Sequence, residues 1–307
     1  MHERLVFLAG PTAVGKSAVA IALAEQVGGE IISVDSMQVY RGLDIGTAKP
    51  SAGERRRVPH HLIDVVELTE SFDAARFVGL AREAASQIQA RGRVPIFCGG
   101  TGLYFQACLA GLGQTPPANP ALRAELEAAP LAELLRELAA RDPATFTRID
   151  RRNPRRLVRA LEVIRLTGQP FSAQRAPWPA QPSTLNPQPS THFLLSRAPA
   201  DLGARIDARV DAMFARGLVA ETERLLAGGL AQNRTALQAL GYRQVVEHLR
   251  GQRSLADTVA LVKQRTRQLA KRQLTWFRHH GQWERIELTP DTTPDEVADR
   301  LAHALAE

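Results

Sequence analysis

Gly10, Pro11, Thr12, Ala13, Val14, Gly15, Lys16 and Ser17 fit the spacing G-x-x-x-x-G-K-[ST], and the residues around them leave few folds for that stretch to join. Arg4 to Ala9 reads as a short, fully buried strand. Lys16 to Val27 reads as an alanine-rich helix, with Val19, Leu23 and Val27 at i, i+4 and i+8. Between a strand and a helix, glycines let backbone N–H groups turn towards an anion. The lysine adds a mobile charge, the Ser17 hydroxyl can hold Mg²⁺, and the helix N-terminus adds partial positive charge. A polyphosphate binds to such a P-loop, but the loop does not decide which one or what is done with it.

The same rhythm continues to about Gly113. Glu30 to Val34 is an apolar run ending in Asp35, and His61 to Val66 is another. Phe77, Ala81, Ala84 and Ile88 keep helical spacing, and Val94 to Cys98 ends in Gly99, Gly100, Thr101 and Gly102. This βαβ alternation predicts a parallel sheet covered on both faces, with loops at its carboxyl ends forming the functional edge. From Pro116 to Gly168 the patterns are helical only: Leu122–Ala128, Leu131–Ala140, Pro143–Ile149 and Pro154–Thr167. The proline-rich stretch Gln169 to Thr191 predicts an irregular connection. Strand character returns at His192–Ser196. Helices follow at Leu202–Arg216, Leu218–Ala227 and Leu255–His280, then a strand at Trp283–Leu288 and a helix at Pro294–Leu305. The expected fold is therefore a P-loop NTPase-like α/β sheet flanked by helices, with an all-helical insertion. Its boundaries are 1–115 for the first part of the core, 116–190 for the insertion and 191–307 for the remainder.

At 307 residues the chain has ample length for a real core. Two cysteines, Cys98 and Cys108, supply neither a zinc site nor a disulfide framework, and read as buried thiols of a reducing cytoplasm. No apolar run reaches the ~18 residues that span a bilayer, and the N-terminus has no signal-peptide pattern, so a cytoplasmic protein without membrane contact is expected; a monomer is expected as well. Against 39 Lys and Arg stand 32 Asp and Glu, a net charge of +7 that favours a polyanionic partner.

Asp35 resembles a magnesium-organising acid, yet it follows the strand directly after the P-loop helix. A group that faces an acceptor is often placed there, so it is a candidate general base, with a capping aspartate as the plain alternative. Thr101 follows two glycines that permit close backbone approach, and its hydroxyl can donate to a phosphate oxygen or a leaving group, although a simple turn explains the motif as well. Arg205 and Arg209 lie one turn apart beside the apolar stripe Leu202, Ile206, Val210 and Met213, suited to a pyrophosphate. Arginines crowd 151–165, and Lys263, Arg267 and Lys271 form a helical basic stripe ending near Trp276 and Phe277, suited to an RNA backbone and an unpaired base. A small-molecule kinase and a non-catalytic RNA-binding module remain open on these residues alone.

The P-loop followed by Asp35 to Pro50 resembles the tRNA dimethylallyltransferases, also called tRNA isopentenyltransferases. Gly99 to Tyr104, Pro154 to Val163, Gly241 to Arg243 and Arg267 to Trp276 extend the resemblance over nearly the whole chain. It implies transfer of a dimethylallyl group from dimethylallyl pyrophosphate to N6 of the adenosine next to the tRNA anticodon, position 37, with Mg²⁺ as cofactor. The P-loop would hold the leaving pyrophosphate (nucleotide-binding in type), with Lys16 and Arg209 spreading its charge and Ser17 on the metal. Asp35 would take the N6 proton and Thr101 would assist. Residues implied to face tRNA are Asp35, Ser36, Met37, Gln38, Thr101, Arg123, Arg155, Arg156, Leu157, Val158 and Arg159. To these are added Gln238, Ala239, Leu240, Gly241, Tyr242 and Arg243, then Lys271, Arg272, Gln273, Leu274, Thr275, Trp276, Phe277 and Arg278.

Overall fold

A computed structural model describes residues 4–113, 115–174 and 190–306. Strand β1 (Leu5–Ala9) runs into helix α1 (Lys16–Val27), then β2 (Gly29–Val34), α2 (Ala52–Arg57), β3 (His60–His61), α3 (Ala74–Ala90), β4 (Val94–Gly99) and α4 (Gly102–Ala110). Helices α5 (Pro120–Ala128), α6 (Leu131–Arg141), α7 (Pro143–Arg148), α8 (Pro154–Thr167) and α9 (Phe171–Gln174) follow. The chain resumes with β5 (Ser190–Arg197), α10 (Pro199–Ala215), α11 (Leu218–Ala227), α12 (Tyr242–Leu249), α13 (Leu255–His279), β6 (Glu284–Leu288) and α14 (Pro294–Ala306). It divides into two compact units, Met1–Leu109 with Leu185–Glu307, and Ala110–Thr184.

The first unit is built on one parallel sheet in the order β3-β2-β4-β1-β5-β6. Both faces are covered, so the strands are apolar without alternation. Along β1, Leu5, Phe7 and Ala9 enter one core layer with Phe77, Phe105 and Phe277, while Val6 and Leu8 enter the other with Val19, Leu23 and Leu301. Phe7 stacks on Phe97 at 4.6 Å across the β1–β4 pair. All strands being parallel, β1, β2 and β4 end on the same edge, which brings their following loops together.

The expected His61–Val66 strand shrinks to His60–His61. Leu62 and Asp64 take left-handed backbone (φ 61 and 56), which turns the chain off the sheet, and Val66 keeps only a bridge to Tyr40. Helices α2, α4, α9 and α12 were not anticipated from periodicity. In α4, Tyr104 to Cys108 are all buried, so no polar face marks a period. Helix α10 starts earlier than expected, with Pro199 in its first turn.

The second unit is all helical and packs Leu126, Leu134, Leu138, Leu157, Leu161 and Ile164 into its own core. Within it the fully buried carboxylate of Glu162 takes Arg123 at 2.9 and 3.0 Å, Arg159 at 2.6 Å and the Asn119 amide at 2.7 Å. A buried charge needs such complete pairing. Most of the proline-rich stretch expected to be irregular, residues 175–189, lies outside the described residues.

Candidate active site

The loop after β1 is braced on every side. Gly15, at φ 113, precedes α1 with no side-chain cap, so the first amides of the helix are left for an external anion. Ala13 also takes left-handed backbone (φ 65), a strained state for a residue with a Cβ. Its carbonyl accepts from Arg205 Nε at 3.0 Å, and the Val14 carbonyl accepts from Arg197 Nε at 2.9 Å. Thr12 N donates to Gln273 Oε1 at 2.9 Å, and Lys16 Nζ donates to the Pro11 carbonyl at 2.7 Å. Gly10 is itself buried against the end of β5. The loop is thus held in an anion-ready shape by protein groups alone.

A cleft of about 530 Å³ opens over α1, lined by Gly15, Lys16, Ser17, Glu54, Arg205 and Arg209 among others. Burial lowers the Lys16 ammonium to about 8; Cys98 and Asp35 oppose this and Arg209 adds to it. Burial likewise lowers the Arg209 guanidinium, with Asp35 opposing and Arg205 adding. Arg209 donates to no acceptor among the described residues. Three cations and a helix N-terminus converging on one cleft make a strong site for a diphosphate.

Asp35 follows β2, and β4 lies between it and the P-loop strand. Its Oδ1 accepts from the amides of Met37 (2.8 Å) and Gln38 (3.2 Å), while Oδ2 has no partner among the described residues. The capping and catalytic readings are therefore compatible: one oxygen fixes the turn and leaves the other available. Thr101 Oγ1 accepts from Ser36 N at 3.2 Å, and Thr101 N donates to the Val34 carbonyl at 3.2 Å. Residues 65 positions apart are thereby brought side by side. Strand β4, adjacent to β1, ends in Gly-Gly-Thr with no acid.

The glycines around Thr101 make room for close packing by protein side chains. A Cβ on Gly100 would meet Gln273 Nε2 at 2.4 Å, and one on Gly102 would meet the Trp276 indole at 2.3 Å. Gln273 Nε2 donates to the Gly100 carbonyl at 3.0 Å while its Oε1 holds Thr12. One side chain thus ties the P-loop to the loop bearing Thr101. Gln273→Ala is expected to cost about 1–3 kcal/mol of stability, read by denaturant unfolding, and to weaken pyrophosphate binding in calorimetry.

Other sequence-expected residues divide by burial. Leu157, Val158, Ala239, Tyr242 and Phe277 are inside, at 5 % exposure or less, so they pack the core and do not form RNA-facing surface. Gly241 is buried too, at the start of α12. Tyr242 donates to Glu221 at 2.6 Å and accepts from Gly46 N at 3.0 Å, pinning the loop that follows Asp35. Gln38 is tied to Ser33, Thr47 and Ala48, and Met37 packs on the core. Arg123 and Arg159 serve Glu162, whereas Arg155 and Arg156 are exposed at the start of α8. Arg243 pairs with Glu247 and Gln238; Leu240 and Leu274 are partly buried. Trp276 already stacks on His280 at 4.3 Å.

The basic stripe of α13 is narrower than its spacing suggested. Lys263 pairs with Asp211 at 2.7 Å and Arg267 with Asp207, both on α10. Lys271, Arg272 and Arg278 are exposed, with no acid partner among the described residues, and Thr275 is exposed beside them. Periodicity missed Arg197, Glu54 and Glu221; Arg197 alone carried a signal, ending a strand on the functional edge. Both cysteines are buried and unbridged, and burial pushes Cys98 up to about 11, so neither thiol is a nucleophile at neutral pH. No helix among the described residues is long and apolar enough to cross a membrane.

A P-loop sheet that carries on one edge a cationic cleft, a threonine after the neighbouring strand β4 and a carboxylate after β2, one strand further, is the framework of a group-transfer enzyme. The sequence model of the IPP transferase family matches residues 38–280. A tRNA dimethylallyltransferase 1 from Trichlorobacter lovleyi is 48 % identical over 91 % of this chain and 92 % of its own. The tRNA dimethylallyltransferase of Halorhodospira halophila is 47 % identical over 95 % and 94 %. Among solved structures, the tRNA isopentenylpyrophosphate transferase of Bacillus halodurans superposes with a TM-score of 0.72 at 38 % identity, covering 99 % of this chain and 96 % of that one. A eukaryotic dimethylallyltransferase acting on tRNA gives 0.81 at 28 % identity, covering 99 % and 79 %. The chain belongs to the IPP transferase family.

Proposed function

We propose that the chain transfers the dimethylallyl group of dimethylallyl pyrophosphate to N6 of adenosine 37 in tRNA, releasing pyrophosphate. The observation carrying this reading is the cleft that gathers Lys16, Arg205 and Arg209 over the α1 N-terminus, one strand removed from the free oxygen of Asp35. The N6 lone pair forms the bond to the allylic carbon as that carbon's bond to the diphosphate oxygen breaks. Asp35 Oδ2 takes the N6 proton. Lys16, Arg209 and the α1 amides receive the charge that develops on the departing pyrophosphate, where fixed donors act most strongly. Thr101, whose Oγ1 accepts from the Ser36 amide next to Asp35, positions the acceptor side. An exocyclic amine is a weak nucleophile, so orientation and a nearby carboxylate matter more than basicity.

Mg²⁺ fits the donors present. Ser17 offers an exposed hydroxyl in the cleft, and no group of three His, Cys, Asp or Glu among the described residues forms a protein cage. That suits an ion held mainly by substrate oxygens and water. Bound there, it neutralises charge on the diphosphate. The exposed Lys271, Arg272 and Arg278 supply cations for the tRNA backbone.

The test is nucleoside mass analysis of unmodified tRNA after incubation with the protein, Mg²⁺ and dimethylallyl pyrophosphate. An adenosine heavier by one five-carbon unit, dependent on the donor, is expected. Bound tRNA without a new nucleoside would mean an RNA-binding module, and steady ATP hydrolysis would mean a kinase.

Lys16 also sets a pH limit. Its charged form is the one that holds diphosphate, and it is lost above about 8 in the free protein. The kcat/KM for the donor is expected to fall roughly tenfold per unit beyond that pH, with kcat falling at higher pH because bound anion raises the lysine. Stability moves the other way. The folded value lies below the ordinary 10.5, so the unfolded chain binds more protons between the two, and folding gains as pH rises through that window.

A further inference from the structure

We infer that Glu54 makes this cleft selective for a diphosphate that carries a divalent cation, by holding the water shell of Mg²⁺ beside Ser17. The inference rests on the diphosphate reading above. Glu54 is the one acid among charged groups lining a cleft whose others are Lys16, Arg205 and Arg209. Its placement is fixed. It closes a capping box on α2, in which Glu54 N donates to Ser51 Oγ at 3.2 Å, and Oε2 accepts from Ser51 N and Oγ, both at 2.7 Å. Arg57 ties α2 to Glu25 of α1 at 2.9 and 2.8 Å, so the carboxylate stays over the P-loop helix.

The cap uses one oxygen. Oε1 has no hydrogen-bond partner among the described residues; of the arginines that follow it, Arg55 pairs with Asp64 at 2.9 Å and Arg57 with Glu25. Burial raises the carboxyl, but the Ser51 bonds together with the His60 and Arg57 charges hold it below its ordinary value. A glutamine would complete the same capping box without a charge. The charge is instead set where an approaching bare diphosphate is repelled. A hard cation reverses the sign: Mg²⁺ keeps several waters and is bound through one or two carboxylates together with phosphate oxygens. Ser17 and Glu54 line the same cleft as the cations that would hold the diphosphate, and with its oxygens would provide that set.

The experiment is calorimetric titration of inorganic pyrophosphate, with and without Mg²⁺, into wild type, Glu54→Gln and Ser51→Ala. Wild type is expected to bind at least about tenfold tighter with Mg²⁺. In Glu54→Gln, which keeps the cap, that gap should shrink to about threefold or less, with metal-free pyrophosphate binding tighter than in wild type. Ser51→Ala removes the hydroxyl bonds but keeps the carboxylate and the backbone N–H at position 51 that holds its Oε2, so the gap should persist. A gap unchanged in Glu54→Gln, or lost equally in Ser51→Ala, overturns the inference while leaving the diphosphate site intact. Failure of wild type to bind pyrophosphate at all overturns the reading of the cleft, and this inference with it.

Discussion

Asp35→Asn is expected to lower turnover by about 10²- to 10⁴-fold, or roughly 3–5 kcal/mol of transition-state stabilisation, while pyrophosphate and tRNA still bind. The substitution is selective because asparagine keeps an oxygen for the Met37 and Gln38 amides, so the turn after β2 survives. What it removes is the second oxygen's ability to take a proton. Single-turnover transfer, measured with saturating donor and tRNA, separates this loss from binding. Turnover equal to wild type would exclude Asp35 from proton transfer and leave it as a capping residue.

Arg209→Ala should move activity and stability in opposite directions. Loss of one preorganised donor to the leaving group is expected to cost about 10²- to 10³-fold in kcat/KM. Yet the guanidinium donates to no described protein acceptor, and it crowds Arg205 and Lys16. Removing it ends the cost of burying that charge, which together with the repulsion outweighs its attraction to Asp35, so the unfolding midpoint without ligand should hold or rise. Arg209→Lys should recover only part of the activity, since an ammonium lacks the forked donor geometry. A fall in stability with normal kinetics would make Arg209 a structural residue. Calorimetric unfolding beside donor-titration kinetics decides between them.

Much of this site was legible in the chain because it is local. A strand, a glycine-rich turn and a helix lie within Leu5–Val27, and the conformation of Gly15 follows from its neighbours. Helices α1, α8 and α11 begin and end where the periodicity places them, with Gly28 and Gly168 closing the first two. Asp35 at the end of an apolar strand was equally local. Helix α4 was not legible, since a segment buried on all sides shows no period.

Contacts between distant residues required the fold. The Asp35-to-Pro50 stretch is distinctive in sequence, yet much of what distinguishes it is internal bracing. Lys49 reaches Tyr40, Asp44 and Asp64, and Gly46 is pressed against Tyr242, which is 196 residues away. Spacing made Lys263, Arg267 and Lys271 one basic stripe, but α10 packs alongside and its Asp207 and Asp211 take the first two. Gln273 stood in a motif assigned to RNA and proves to be the link between the two loops of the site.

By itself the sequence determined the phosphate loop, the parallel α/β core, the helical insertion and an acid at the functional edge, because each is encoded in a few adjacent residues and their period. Tertiary structure alone decided which cations remain free, which motif residues are buried, and which carboxylate joins the cleft. Those outcomes depend on charges and shapes meeting across hundreds of positions, and pairing or burial changes a residue's chemistry without changing its name.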